Sequence, residues 1–211
     1  MLFNNYKKSI ERVNTLTHGL AALLALPAVI VLLVYASLKG DPLRIISFSV
    51  YGVSLVLLYV ISTLYHGSNG GKKRLLQRLD HIAIYLLIAG SYTPITLVVL
   101  NGAWGWSLFG VVWTLAVVGI LLDSLRDKQR RVIQMAIYFI MGWLALIALY
   151  PLWQHMPLGG LIWLLIGGVF YTTGIIFYAM EGRIRYGHGI WHLFVMAGSA
   201  SHYIVIFYYL L

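Results

Sequence analysis

Seven apolar runs, at about 17 to 38, 43 to 66, 80 to 100, 104 to 123, 132 to 150, 157 to 180 and 188 to 211, constrain this chain more than any motif in it. Each is near the roughly 20 residues that a helix needs to cross about 30 Å of hydrocarbon. None alternates as a membrane β-strand must. A hydrocarbon interior offers backbone amides no partner outside their own helix, so the expected fold is all-α, a seven-helix polytopic membrane bundle. Composition agrees: the 211 residues are 61% hydrophobic and only 10% charged, too little charge to cover a soluble domain. The connections are too short to hold a further folded unit, so 1–211 reads as one membrane domain.

The first residues, MLFNNYKKSIERVNTLTH, lack the apolar core and small-residue cleavage site of a signal peptide. Phe3, Tyr6, Ile10 and Val13 form a seam opposite Lys7, Lys8 and Glu11, which suggests an interfacial amphipathic helix over 1–16, with a frayed tail as the alternative. Cysteine is absent, which removes disulfides, thiolate ligands and a cysteine nucleophile.

The net charge of +9 is distributed unevenly. The N-terminal segment and the loops at 67–79, 124–131 and 181–187 carry thirteen of the Lys and Arg residues, and the alternate connections carry only Lys39 and Arg44. By the positive-inside rule the N-terminus is expected in the cytoplasm and the C-terminus outside. Topology and attraction to anionic headgroups account for the basic surplus, so membrane lipids are the expected partners and nucleic acid is not required.

Ionisable groups inside spans are costly, and each asks for a function or a paired partner. His18, His66, Asp80, His188 and His192 all fall at the expected cytoplasmic ends, where the topology gathers them into one layer at the inner leaflet. His188 and His192 are four apart, stacked on one helix face and able to reach a common ion. Ser62 and His66 share the same spacing, and Glu11, Asn14 and His18 lie on one face of the first helix. Histidines with an oxygen ligand or water suit zinc best, then iron or manganese. The competing reading is that histidines at helix ends meet only headgroups and carbonyls.

His202 lies ten residues beyond His192, about 15 Å deeper along a helix, too far to share that ion. It is expected to be a hydrogen-bonded core histidine, partnered by a Ser or Thr of a neighbouring helix, with a substrate-cavity or proton-relay role as the alternative. His81 points about 100° away from Asp80 and is expected at the interface. His155 falls in an outer loop beside Trp153. Pro94 is expected to kink the third helix and widen a cavity above Asp80.

The motifs ERVNTLTHG, STLYHG, LDHIAIYLLIAGSYTP, GGVFYTTGIIFY and HGIWHLFVMAGSASH, in this order along nearly the whole chain, resemble the hemolysin III family, the bacterial branch of the progestin and adipoQ receptors. The resemblance implies a bacterial inner-membrane protein with a zinc ion near the inner leaflet, held by His66, His188 and His192. It implies Ser62 and Asp80 as completing the site, and Glu11, Asn14, Thr17 and His18 as a supporting shell. The link between His66 and Asp80 is shorter than in the eukaryotic receptors, which leaves the distance of Asp80 from the metal open.

Three activities follow as expectations. One is a zinc-dependent hydrolase of lipid amides or esters, with Asp80 and Ser62 catalytic. Another is a non-enzymatic regulator of membrane lipid homeostasis with a structural zinc. The last is a pore-forming cytolysin, as the family name implies, although polar stripes outside the histidine layer are few.

Overall fold

The computed structural model describes residues 2–124 and 131–211, with the side chains of residues 2–7 and 131 outside the description. Seven of its helical stretches are long and apolar enough to cross a membrane, and no strand occurs among the described residues. The chain is a multi-pass, all-helical membrane protein. The seven spans come from α1 (Leu2–Lys39), α2 (Pro42–Gly67), α3 (Lys72–Pro94), α4 (Gly102–Ser124), α5 (Arg131–Trp143) continued by α6 (Leu149–His155), α7 (Leu158–Ala179) and α8 (Gly187–Val205).

The stretch expected to form a separate amphipathic helix is continuous with the first span in α1. Phe3 and Tyr6 of its apolar seam lie outside the described side chains, as does the basic loop over 125–130. Asp41 caps α2: its carboxylate accepts from the amides of Leu43 and Arg44, and Pro42 takes the first helical position, where no amide is needed.

The third helix departs from expectation. It begins at Lys72, so Asp80 sits two turns inside it rather than opening it, and only residues 68–71 link α2 to α3. The basic stretch LysLysArgLeuLeuGlnArgLeu is made of good helix formers, and charge alone does not make a loop. Pro94 has no amide to offer the preceding turn, and beyond it the backbone widens into a π-helix over Ile95–Leu100. The Thr93 and Thr96 hydroxyls donate back to the carbonyls of Ala89 and Tyr92, so neither hydroxyl is left unpaired inside the span.

The fifth span is broken. A 3-10 segment, Leu144–Ala148, separates α5 from α6, and Tyr92 of α3 bridges the break. Its hydroxyl donates to the Gly142 carbonyl at 3.0 Å and accepts from the Ala145 amide at 2.8 Å. In hydrocarbon such loose backbone groups would each cost several kcal/mol if left alone, roughly 2–7.

Polarity runs inside out relative to a soluble bundle. Leu23, Leu38 and Ile147 are among the large apolar side chains turned outward to lipid, whereas Asn14, His18, Ser62, His66, Asp80, Gln134 and His192 are buried. α3 is the most enclosed span and packs on α2, α4 and α5, while α8 packs on α7 and α1. The start of α1, the end of α2, the start of α3 and the start of α8 therefore share one end of the bundle.

Candidate metal centre

At that end α2 contributes its last turn, with Ser62 and His66 on one face, and α8 contributes its first turns, with His188 and His192. The Nε2 atoms of His66 and His188 stand 3.1 Å apart. One ring nitrogen from each of His66, His188 and His192 lies within 4.8 Å of the others. Nitrogens about 3.3 Å apart are what tetrahedral zinc with bonds of about 2.0–2.1 Å would set. The three buried histidines could hold a metal ion.

The groups behind the rings decide which nitrogen faces inward. His66 Nδ1–H donates to Glu11 Oε2 at 2.7 Å, which puts its proton outward and leaves Nε2 a bare acceptor. The Asn14 amide nitrogen lies 3.5 Å from the same atom. Thr17 does the equivalent for His192. Its hydroxyl spends its one proton on the Asn14 carbonyl at 3.0 Å, so at 2.9 Å from His192 Nδ1 it must accept. His192 Nε2 is then a second bare nitrogen, buried and without a hydrogen-bond partner. Two bare nitrogens, His66 Nε2 and His192 Nε2, thus face one point together with His188 Nε2, which stands 3.1 Å from the former, and a cation or a proton among them satisfies their lone pairs. The donor set therefore fits a borderline-soft dication.

His18 is one turn from Asn14, but it meets the site differently from a hydrogen-bonded supporting residue. Its ring stacks on His192 and meets Tyr59 edge-on, and both its nitrogens lack partners.

Asp80 is buried on α3 on the side of His188, with Ser62 beside its carboxylate. It is not part of the three-histidine cluster. The Ser62 hydroxyl makes no hydrogen bond of good geometry among the described residues. Asp80 and His18 line one end of an almost wholly apolar cavity of about 880 Å³, which continues past Ser91 and Ile95 and is walled opposite by the broken fifth span and α7. From Asp80 to Ile95 is about 20 Å along the helix.

Other expectations are corrected. His202 has no Ser or Thr partner among the described residues: neither ring nitrogen makes a hydrogen bond of good geometry, the Leu164 backbone lies beside it, and the ring meets Tyr171 edge-on, lines the apolar cavity and fills the space left by Gly167, where a Cβ would come within 2.5 Å of it. His81 is buried, not interfacial. Gln134 places its amide 3.3 Å from His81 Nδ1 and donates to Asp123 at 2.7 Å, and Tyr138 donates to the His81 carbonyl. His155 ends α6, exposed, with its Nδ1 donating to the Pro151 carbonyl.

Sequence reasoning missed three participants. Lys73 donates to Glu11 Oε1 at 2.6 Å, tying the start of α3 to the carboxylate behind His66. Gln134 joins α3, α4 and α5. Glu181, in the connection after α7, brings Oε2 to 3.3 Å from His188 Nδ1. Lys73 lies seven residues from the nearest span as read from hydropathy, and only the helical start of α3 carries it to Glu11.

The family model described as haemolysin-III related matches residues 6–203. The chain is 43% identical to a protein named Hemolysin-3 from Bacillus cereus over 95% of this chain and 92% of that one. It is 40% identical to a Hemolysin-3 homolog from Bacillus subtilis, covering 94% and 93%. At 29% identity it is similar to the monocyte to macrophage differentiation factor of Homo sapiens, over 93% of this chain and 83% of the other.

Proposed function

The chain belongs to the haemolysin-III-related family, and on that premise we propose that it is a zinc-dependent intramembrane hydrolase of lipid amides or esters. The observation that carries the reading is the closeness of three convergent histidines to a buried carboxylate, Asp80, that lines one end of an apolar cavity. His66, His188 and His192 are the ligands in this reading. A zinc ion held by them would supply Lewis-acid polarisation of a carbonyl and acidification of a water.

The chain's own residues carry the remaining work. Asp80 takes the proton of the attacking water and delivers it to the leaving amine or alcohol. Ser62, beside that carboxylate and with its hydroxyl otherwise unengaged, orients the water or steadies the developing oxyanion. The cavity above Asp80 takes the acyl chain and keeps bulk water away from it.

The site end lies in the cytoplasm in this reading, since thirteen of the Lys and Arg residues fall on that side, and the protein resides in the bacterial inner membrane. A scissile bond next to an inner-leaflet headgroup then comes level with the histidines. Because the chain has no cysteine, single-cysteine variants at Asn69 and His155 report this directly: impermeant labelling of intact cells should reach His155→Cys and spare Asn69→Cys. The opposite pattern inverts the assignment.

Purified protein should hydrolyse a ceramide-like amide, with turnover lost on chelation and restored by zinc. Equal turnover by His188→Ala would defeat the enzyme reading. One observation favours a second reading: the three histidines come from α2 and α8, so an ion there clamps two helices that are distant in sequence. A structural zinc in a non-enzymatic lipid-homeostasis protein predicts a lower melting temperature on chelation with no turnover to lose.

A further inference from the structure

Two of the three histidines have their outward nitrogens held by α1, through Glu11 and Thr17. The third, His188, is served from elsewhere. Its Nδ1 has no hydrogen bond of good geometry among the described residues, and the Glu181 carboxylate stands 3.3 Å from it.

The backbone is built to bring Glu181 there. After α7 the chain turns tightly: Glu181 N–H donates to the Tyr178 carbonyl, Arg183 and Ile184 both donate to Met180, and Gly187 N–H donates to Ile184. This folds Glu181 back over the first turn of α8. Gly187 makes the approach possible, since a Cβ there would lie 3.2 Å from the Glu181 Cα and 3.3 Å from the Phe177 carbonyl. Tyr186 occupies the left-handed region at φ 60° and places its hydroxyl 3.2 Å from Ser9, pinning the turn to α1.

A neutral imidazole can carry its proton on either nitrogen, and only the Nδ1–H form offers Nε2 to an ion. In the other form the proton would point at His66 Nε2, 3.1 Å away, and the two rings would bond to each other instead. A carboxylate at Nδ1 stabilises the donor form and makes the ring a stronger ligand.

We propose that Glu181 is a positioning residue of the metal centre, fixing the His188 proton on Nδ1 so that Nε2 faces the ion. This rests on the reading of His188 as a metal ligand. Each of the three rings then has its own outward acceptor, with Glu11 and Glu181 supplying two negative charges behind the site. The α7–α8 connection thereby becomes part of the centre.

The test uses the full-length protein in detergent, with zinc affinity measured against a competing chromophoric chelator and with cobalt as a spectroscopic probe. Glu181→Ala should weaken zinc binding by about 10- to 100-fold and shift the visible cobalt bands. Glu181→Gln, whose amide oxygen still accepts, should recover part of the loss. The melting temperature of the metal-free protein should stay at the wild-type value. Wild-type affinity and spectrum in Glu181→Ala overturn the proposal while leaving the histidine site standing. An equal fall in metal-free melting for both variants, with no recovery by glutamine, also overturns it and assigns Glu181 a structural role. A wild-type protein that takes up neither metal removes the site itself.

Discussion

His18 lies flat against His192, with ring centroids 3.5 Å apart and planes 12° from parallel. Together with the Thr17 contact at Nδ1, this leaves His192 little freedom to rotate. His18 thus works through its face, not its nitrogens. His18→Phe should therefore keep zinc affinity close to wild type, and His18→Ala should lose about 1 kcal/mol, a roughly fivefold weaker dissociation constant. Equal affinities in calorimetric titration of wild type and His18→Ala would show that the stack contributes nothing.

His66→Ala, His188→Ala and His192→Ala should each abolish stoichiometric zinc in elemental analysis of purified protein. Chelation should lower the wild-type melting temperature and leave the three variants unmoved, because only a folded state that binds the ion gains from it. A variant retaining one zinc per chain would exclude that histidine as a ligand.

Thr17 accepts from His192 only because its own proton is committed to the Asn14 carbonyl. Thr17→Val removes that acceptor and leaves the His192 N–H only the Asn14 backbone carbonyl, at a cost of about 1 kcal/mol. Zinc affinity should fall by about 10- to 100-fold, and Thr17→Ser should restore it. Failure of serine to rescue would mean that the threonine methyl, not the hydroxyl, matters there.

Tyr92→Phe removes one hydroxyl and with it two backbone contacts across the break in the fifth span. The expected loss is about 1–3 kcal/mol in thermal unfolding in detergent, with zinc content unchanged. No loss of stability would mean that water or lipid replaces the hydroxyl.

Much of this architecture is legible in residue spacing. Apolar run length gives the seven spans, because hydrocarbon thickness is a fixed yardstick, and i, i+4 spacing gives the pairs Ser62–His66 and His188–His192. The meeting of His66 with His188 follows from the topology alone. Other features are decided by packing. Hydropathy makes the start of α3 look like loop because charged residues pull it down without lowering helix propensity. The break after Trp143 lies between Gly142 and Pro151, whose missing amide leaves the Ile147 carbonyl without its helical donor, but where the helix parts is set by Tyr92 on another helix, which takes the Gly142 carbonyl and the Ala145 amide. Glu181 sits seven residues before His188 with a turn between, a separation at which no periodicity speaks. His202 meets the Leu164 backbone rather than a Ser or Thr, with Gly167 and Tyr171 shaping its place, and no spacing announces a backbone partner.

The fifth span sets the mechanical character of the bundle. A continuous helix resists bending along its whole ladder, but a wall already divided into α5, a 3-10 segment and α6 can swing at the joint while every regular turn stays intact. At the joint itself the holding contacts are the two made by Tyr92 and the bond from the Trp143 indole to the Thr172 hydroxyl of α7, while Gln134 and Tyr138 fasten the rest of α5 to α3 and α4. The histidine end hangs from α1, α2, α3 and α8, and of these α3 alone reaches the joint, through Tyr92. The helix that carries Asp80 at one end thus also holds the divided wall of the cavity together at the other.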